Sequence, residues 1–210
     1  VKDMALEEDK IREELKDLFD KGLVREVSLK VTPSSNDSEE SADLIEFIKN
    51  LATLSCKLKV EILEPAPSEG PTLTVGDNLG YSITFMGAPA GLEIQSLIKA
   101  ILLVSQGDDA VQTNLKDIAK KILAKHEIEV FVSAKCPDCP MPVFYLISTA
   151  VASPEKVSAR IVMISSFPLL TKEREVKHLP TFFTDGKKAP IETDKISIGL
   201  YFVYIKGLCA

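Results

Sequence analysis

The order of structural signals along this chain is spelled twice. The first pass opens on a helical period from Met4 to Leu23, with Ile11, Leu15, Leu18 and Phe19 set between charges and Gly22 as a stop. Arg25 to Val31 alternates as a strand with Val27, Leu29 and Val31 on one face. A polar turn, Thr32 to Ser41, leads into a helix from about Ser41 to Leu54 with Leu44, Ile45, Ile48 and Leu51 facing inward. Lys57 to Leu63 reads as a strand, Pro65 to Gly70 as a loop, and Pro71–Val75 and Tyr81–Met86 as strands joined across Gly76-Asp77-Asn78. A helix from Leu92 to about Ser105, closed by Gly107, completes the pass.

The second pass begins with a helix capped by Asp108 or Asp109 and running to about Lys125, with Val111, Leu115, Ile118 and Ile122 apolar. Ile128 to Ser133 is a strand, Pro140 to about Ala152 a helix, and Ser158 to Ile164 a strand. Pro180–Thr184 and a strand near Ala189–Ile191 flank an Asp185-Gly186 turn. In Asp194 to Lys206, Tyr201 to Ile205 favour a strand locally, whereas the repeat demands a helix, and the repeat decides. A period of roughly 100 residues is too long for a solenoid and predicts two copies of one domain, 1–107 and 108–210.

The composition excludes several functions. A net charge of −6 and a pI near 5.1 argue against a nucleic-acid partner, since no basic patch exists to neutralise phosphates. Four cysteines among 210 residues are too few for a disulfide scaffold. The charged N-terminus lacks an apolar leader, and Ile196 to Ile205 falls short of the roughly 20 residues a membrane span needs. The expectation is a soluble, cytoplasmic protein without a membrane partner.

The chemistry is concentrated in Cys136-Pro137-Asp138-Cys139, followed by Pro140, at the junction of a strand and a helix. Cys136 is expected in the first turn of that helix, where exposed N–H groups and the positive end of the helix dipole stabilise a thiolate. Lys135 adds positive charge, Pro137 stiffens the turn, and Asp138 opposes a second anion. Cys139, one turn later, can attack a mixed disulfide formed at Cys136 and release the product. A zinc site would need two more ligands from Cys56, Cys209, His126 and His178, with no second CxxC to supply them, so no metal is expected.

A β-α-β unit followed by β-β-α, with a CxxC between strand and helix, is the thioredoxin arrangement. The predicted fold class is therefore α/β: two fused thioredoxin-like domains, each a central mixed four-stranded sheet flanked by helices. In this fold a proline at the position of Pro180 is cis and packs against the dithiol. It leaves the backbone of Leu179 free to pair with an extended substrate, beside Pro137 and Asp138. Glu129, seven residues before Cys136, would have a raised pKa if buried and could take the proton of Cys139. The first copy has Thr32-Pro33-Ser34-Ser35-Asn36-Asp37 where the second has its cysteines, and should be redox-silent.

Val27 to Val60 and Phe85-Met86-Gly87-Ala88-Pro89-Ala90-Gly91-Leu92-Glu93 resemble the cysteine-free first repeat in the N-terminal domain of the alkyl hydroperoxide reductase flavoprotein subunit. That module is a tandem thioredoxin fold whose second repeat holds the only CxxC, preceded seven residues back by a glutamate that matches Glu129. The archaeal and thermophile protein disulfide oxidoreductases share the architecture, and their CPYCP is similar to Cys136–Pro140. The resemblance implies a thiol–disulfide oxidoreductase, catalytic through Cys136 and Cys139 and helped by Pro180 and Glu129. No dinucleotide G-x-G-x-x-G is present, so electrons would come from a separate reductase, and no bound cofactor is required. The acceptor would be a protein disulfide, with a peroxiredoxin as one candidate. The rival is a non-catalytic tandem thioredoxin-like adaptor in which the CPDC turns over little.

Overall fold

The computed structural model describes residues 2–36, 39–191 and 196–209, with side chains from residue 10 onward. Helix α1 (Lys2–Gly22) precedes β1 (Val27–Thr32), α2 (Glu39–Ala52), β2 (Leu58–Ile62), β3 (Thr72–Val75), β4 (Ile83–Met86) and α3 (Glu93–Gln106). Then come α4 (Thr113–Ala119), β5 (His126–Val132), α5 (Pro140–Ala152), β6 (Val157–Met163), α6 (Pro168–Glu173), β7 (Thr181–Thr184), β8 (Lys187–Lys188) and α7 (Ile198–Gly207). The fold is α/β and thioredoxin-like, and the strands form one eight-stranded mixed sheet in the order β2-β1-β3-β4-β6-β5-β7-β8. The seam is a parallel pairing of β4 with β6, Ile83 opposite Ala159 and Met86 opposite Val162. Four strands on each side of it share one order, with β1, β2, β3 and β4 answering to β5, β6, β7 and β8.

Because strand side chains alternate, the sheet has two unlike faces. Val27, Leu29, Val31, Leu73, Ile83, Phe85, Ile128, Val130, Val132 and Ile161 enter a large core with α3, α5 and α7, and all ten are fully buried. The other face is polar across the first strands, where Lys30 bridges Asp77 at 2.7 Å and Glu61 at 3.2 Å. Around β5 to β7 it becomes apolar again, and Met86, Phe131, Val162 and Phe183 form a small second core with Phe167 and Leu170. Helix α6 covers that second core, and it lies between Ile164 and Pro180, where the sequence indicated no helix or strand.

Two local expectations are corrected. The helix expected from Asp108 or Asp109 to Lys125 is a 3-10 turn, Asp108–Ala110, followed by the seven-residue α4. Asp108 pairs instead with Lys116 and Lys120, and the chain turns at Ala119 so that Ile122 can enter the core. The strand expected at Ala189–Ile191 lies at Lys187–Lys188, because Asp185 (φ 51°) and Gly186 (φ 75°) make a two-residue turn that pairs Thr184 with Lys187. The C-terminal helix is present, with the Ser197 hydroxyl accepting from the Leu200 N–H at 3.3 Å. Its expected start at Asp194 and the turn position Asp37 lie outside the described residues. Among the described residues no helix is long and apolar enough to cross a membrane.

Candidate functional site

Strand β5 runs through the second half of the sheet between β6 and β7, and ends at Val132. The chain then makes two tight turns, the Cys136 N–H donating to the Ser133 carbonyl at 3.1 Å and the Cys139 N–H to the Cys136 carbonyl at 3.4 Å. Pro140 opens α5 at its first position, where its missing N–H costs no helical hydrogen bond. The helix has the expected span, so Cys136, expected in its first turn, falls before it. Cys139 is its N-cap residue, and Cys136 lies one turn before it. The two are joined in a disulfide with Cα atoms 5.5 Å apart. Cys139 is fully buried, while Cys136 keeps 9% of its surface, so an attacking sulfur reaches Cys136 first.

Pro137 is exposed and Asp138 half-buried. They line one side of a cleft of about 280 Å³ completed by Met141, Tyr145, Ile196 and Ser197. The Leu179-Pro180 peptide bond is cis, and Pro180 is buried at the start of β7. Half-buried Leu179 packs against both cores, and among the described residues its main chain has no hydrogen-bond partner. Cys56 and Cys209 are free thiols.

Glu129 does not face the dithiol. Ile128, Val130 and Val132 share the core of Cys136 and Cys139, so the alternation sends Glu129 to the opposite face with Phe131. There it is 1% exposed, 3.4 Å from Arg160 Nη1 and 3.3 Å from Arg174 Nε. A spacing of seven residues from Cys136 indicated proximity along the chain and gave no indication of face.

Glu93, the last residue of the Phe85–Glu93 stretch that carries the resemblance, was given no role by the sequence. It is fully buried in the first turn of α3, and neither of its oxygens has a hydrogen-bond partner. Burial pushes its carboxyl above the ordinary range, and Ser96, one turn on, offsets only part of that push. The preceding Leu92 N–H donates to the Ala134 carbonyl at 3.1 Å, two residues before Cys136. Gly91 (φ 56°) makes this approach possible, since a Cβ there would overlap the Ala134 oxygen. The sequence did carry a signal, an acidic residue among the apolar positions opening α3. An acidic residue in a first helical turn is ordinary, however, so the signal does not stand out.

The comparisons with known proteins agree with this fold. No family model matches the chain. It is 28% identical over 163 residues to a protein named NADH dehydrogenase of Bacillus subtilis (strain 168), covering 77% of this chain and 31% of that protein. It is 25% identical over 181 residues to an alkyl hydroperoxide reductase component of Staphylococcus aureus (strain Mu50), covering 85% and 34% respectively. The chain thus spans about a third of the length of the curated relatives it matches. Among solved structures, a protein disulfide oxidoreductase from Aeropyrum pernix superposes with a TM-score of 0.81 at 20% identity, covering 94% of this chain and 91% of that one, which establishes the fold. The NTD_N/C domain of alkylhydroperoxide reductase AhpF from Enterococcus faecalis superposes with a TM-score of 0.79 at 27% identity, over 96% of this chain and 99% of that one. The chain is a tandem thioredoxin-like protein, similar along nearly its whole length to that N-terminal module.

Proposed function

We propose that this chain is a thiol–disulfide oxidoreductase working through the single Cys136/Cys139 pair, with residues 1–107 as a redox-silent unit and 108–210 as the active one. The observation that carries this reading is the cystine itself, placed between the end of β5 and the start of α5 with one sulfur accessible and the other buried. In the reduced protein the Cys136 thiolate attacks a substrate disulfide, forming a mixed disulfide and releasing one substrate thiolate. Cys139 gives up its proton and attacks Cys136 Sγ, re-forming the internal disulfide and releasing the second substrate thiol. Two electrons pass from the protein to the substrate.

Glu93 is the better candidate than Glu129 for the proton acceptor of Cys139. It is a buried, unpartnered carboxylate joined through Leu92 and Ala134 to the loop that carries Cys136. The free main chain of Leu179 offers an edge to an extended segment of substrate, and Pro137 and Asp138 contact that substrate from the other side of the dithiol. The likeness to alkyl hydroperoxide reductase proteins favours a peroxiredoxin as the protein disulfide served, with a separate reductase returning the electrons. A reducing, cytoplasmic compartment suits such a cycle.

The test is reduction of insulin disulfides with dithiothreitol as electron source. The intact chain accelerates it, and Cys136→Ser abolishes the acceleration. A Cys136→Ser variant as active as the parent would leave the adaptor reading in its place.

A further inference from the structure

Beyond the seam of β4 with β6 and the bond from Leu92 to Ala134, the silent half grips the active half at the connection from β6 into α6. Helix α6 has only six residues, and its N-cap Phe167 offers no side-chain acceptor. A helix this short is marginal by itself, and its first N–H groups need partners. The partner is Glu69, from the loop before β3 in the other half of the chain. Its two carboxylate oxygens accept from the Leu169 N–H at 2.5 Å and the Leu170 N–H at 2.9 Å. Glu40, in the first turn of α2, takes hold just upstream. It accepts from the Ser166 hydroxyl and from the Ala88 N–H, the latter at 2.9 Å. Gly70 and Gly87 pack so closely on Ser166 that a Cβ at either would press on it.

The loop that presents Glu69 is itself fastened to the vestigial turn of the silent half. Ser34 Oγ donates to the Ser68 carbonyl at 2.7 Å, the Ser35 N–H to the Ala66 carbonyl at 2.9 Å, and the Ala66 N–H to the Pro33 carbonyl at 2.9 Å. These serines stand where the other copy carries its dithiol. Beyond α6 the chain runs through Arg174, which is tied to Glu129 on β5 at 3.3 Å, and then directly to Leu179 and Pro180.

We propose that Glu69 is a positioning residue for the redox site. The turn at Ser34–Ser35, the loop to Glu69 and helix α6 form a strut that holds the Leu179 edge in place for a protein substrate. Where the active copy has its cysteines, the silent copy has an anchor. This rests on the oxidoreductase reading above, and it adds that docking of an extended substrate depends on the strut from Glu69 while thiol chemistry at Cys136 does not.

Two disulfides separate those contributions in the full-length, reduced chain: insulin, which must dock, and hydroxyethyl disulfide, which is too small to need an edge. Glu69→Ala is expected to raise KM for insulin about tenfold with kcat changed by less than about twofold, and to leave the rate with hydroxyethyl disulfide unchanged. Ser34→Ala, which releases the Ser68 carbonyl, should move KM for insulin in the same direction by about threefold. Glu69→Gln keeps an acceptor and should fall between the parent and Glu69→Ala; it carries the same comparison should Glu69→Ala not fold. Equal losses on both disulfides, or an unchanged KM for insulin, would overturn the proposal. Failure of the underlying oxidoreductase reading looks different, because the parent chain would then show no Cys136-dependent turnover of either disulfide.

Discussion

The Leu92 N–H donates to the Ala134 carbonyl across 3.1 Å, fastening the first turn of α3 to the loop that delivers Cys136. Through this one bond a residue from before Gly107 takes part in the environment of a dithiol that lies after it. The next residue, Glu93, is fully buried, and its carboxyl has no hydrogen-bond partner.

Gly91 is the hinge of that contact. Its φ of 56° lies in the left-handed region, and a Cβ would strike the Ala134 carbonyl oxygen. Gly91→Ala should destabilise the fold by ~2 kcal/mol, from left-handed strain plus displacement of the Ala134 loop. Urea denaturation reads the loss, and an unchanged midpoint would show that the two segments are not held together as described.

Glu93→Gln separates stability from catalysis. Burial raises the Glu93 carboxyl above its ordinary value of 4.5. Below that value both folded and unfolded chains hold the proton and the carboxyl costs nothing. As pH rises through it, the unfolded chain ionises while the folded one keeps its proton, so stability falls until the folded group ionises as well. Glu93→Gln should therefore raise the melting temperature by a few degrees at pH 7 and leave it unchanged below about pH 4. The same variant should slow resolution of the mixed disulfide by about a hundredfold at pH 7, measured by stopped-flow quench of the intermediate.

Glu129→Gln is the companion experiment. The carboxylate sits between Arg160 and Arg174, which retain 31% and 24% of their side-chain exposure, so solvent softens the loss of the pair. A destabilisation of ~1–3 kcal/mol is expected, with no change in the resolving step. A slowed resolving step in this variant, with a normal one in Glu93→Gln, would return the proton-acceptor role to Glu129.

Cys139→Ser tests the division of labour between the sulfurs. Cys136 is the accessible one, so this variant should accumulate a stable mixed disulfide with insulin, visible by non-reducing mass spectrometry. Cys136→Ser should accumulate none. Trapping at Cys139 would reverse the assignment.

Much of this was legible in the sequence because it is local. The alternation of Val27, Leu29 and Val31 and the period of Leu44, Ile48 and Leu51 report a buried face by spacing alone, and all six are buried. Pro140 after Cys139 marked the start of α5 to the residue. The C-terminal helix was recovered against the β preference of Tyr201 to Ile205 only because the repeat demanded it. The burial of Tyr201 and Tyr204 against Phe182 shows why such a helix can be rich in aromatics. Helix α6 was not legible: its six residues show no complete apolar period, and its N-terminus is capped by Glu69, a residue about a hundred positions away.

The sequence by itself determined most of the elements, their doubled order and the CxxC pair, since each rests on neighbours within a few turns of chain. Only the tertiary structure set the surroundings of the two buried carboxylates, Glu129 and Glu93. A strand residue's face follows from register, and the register of β5 sends Glu129 to the side away from α5. A residue's neighbours across the fold follow from packing, and the pairing of β4 with β6 joins the two halves in one sheet, while the bond from Leu92 brings Glu93 to the loop before Cys136.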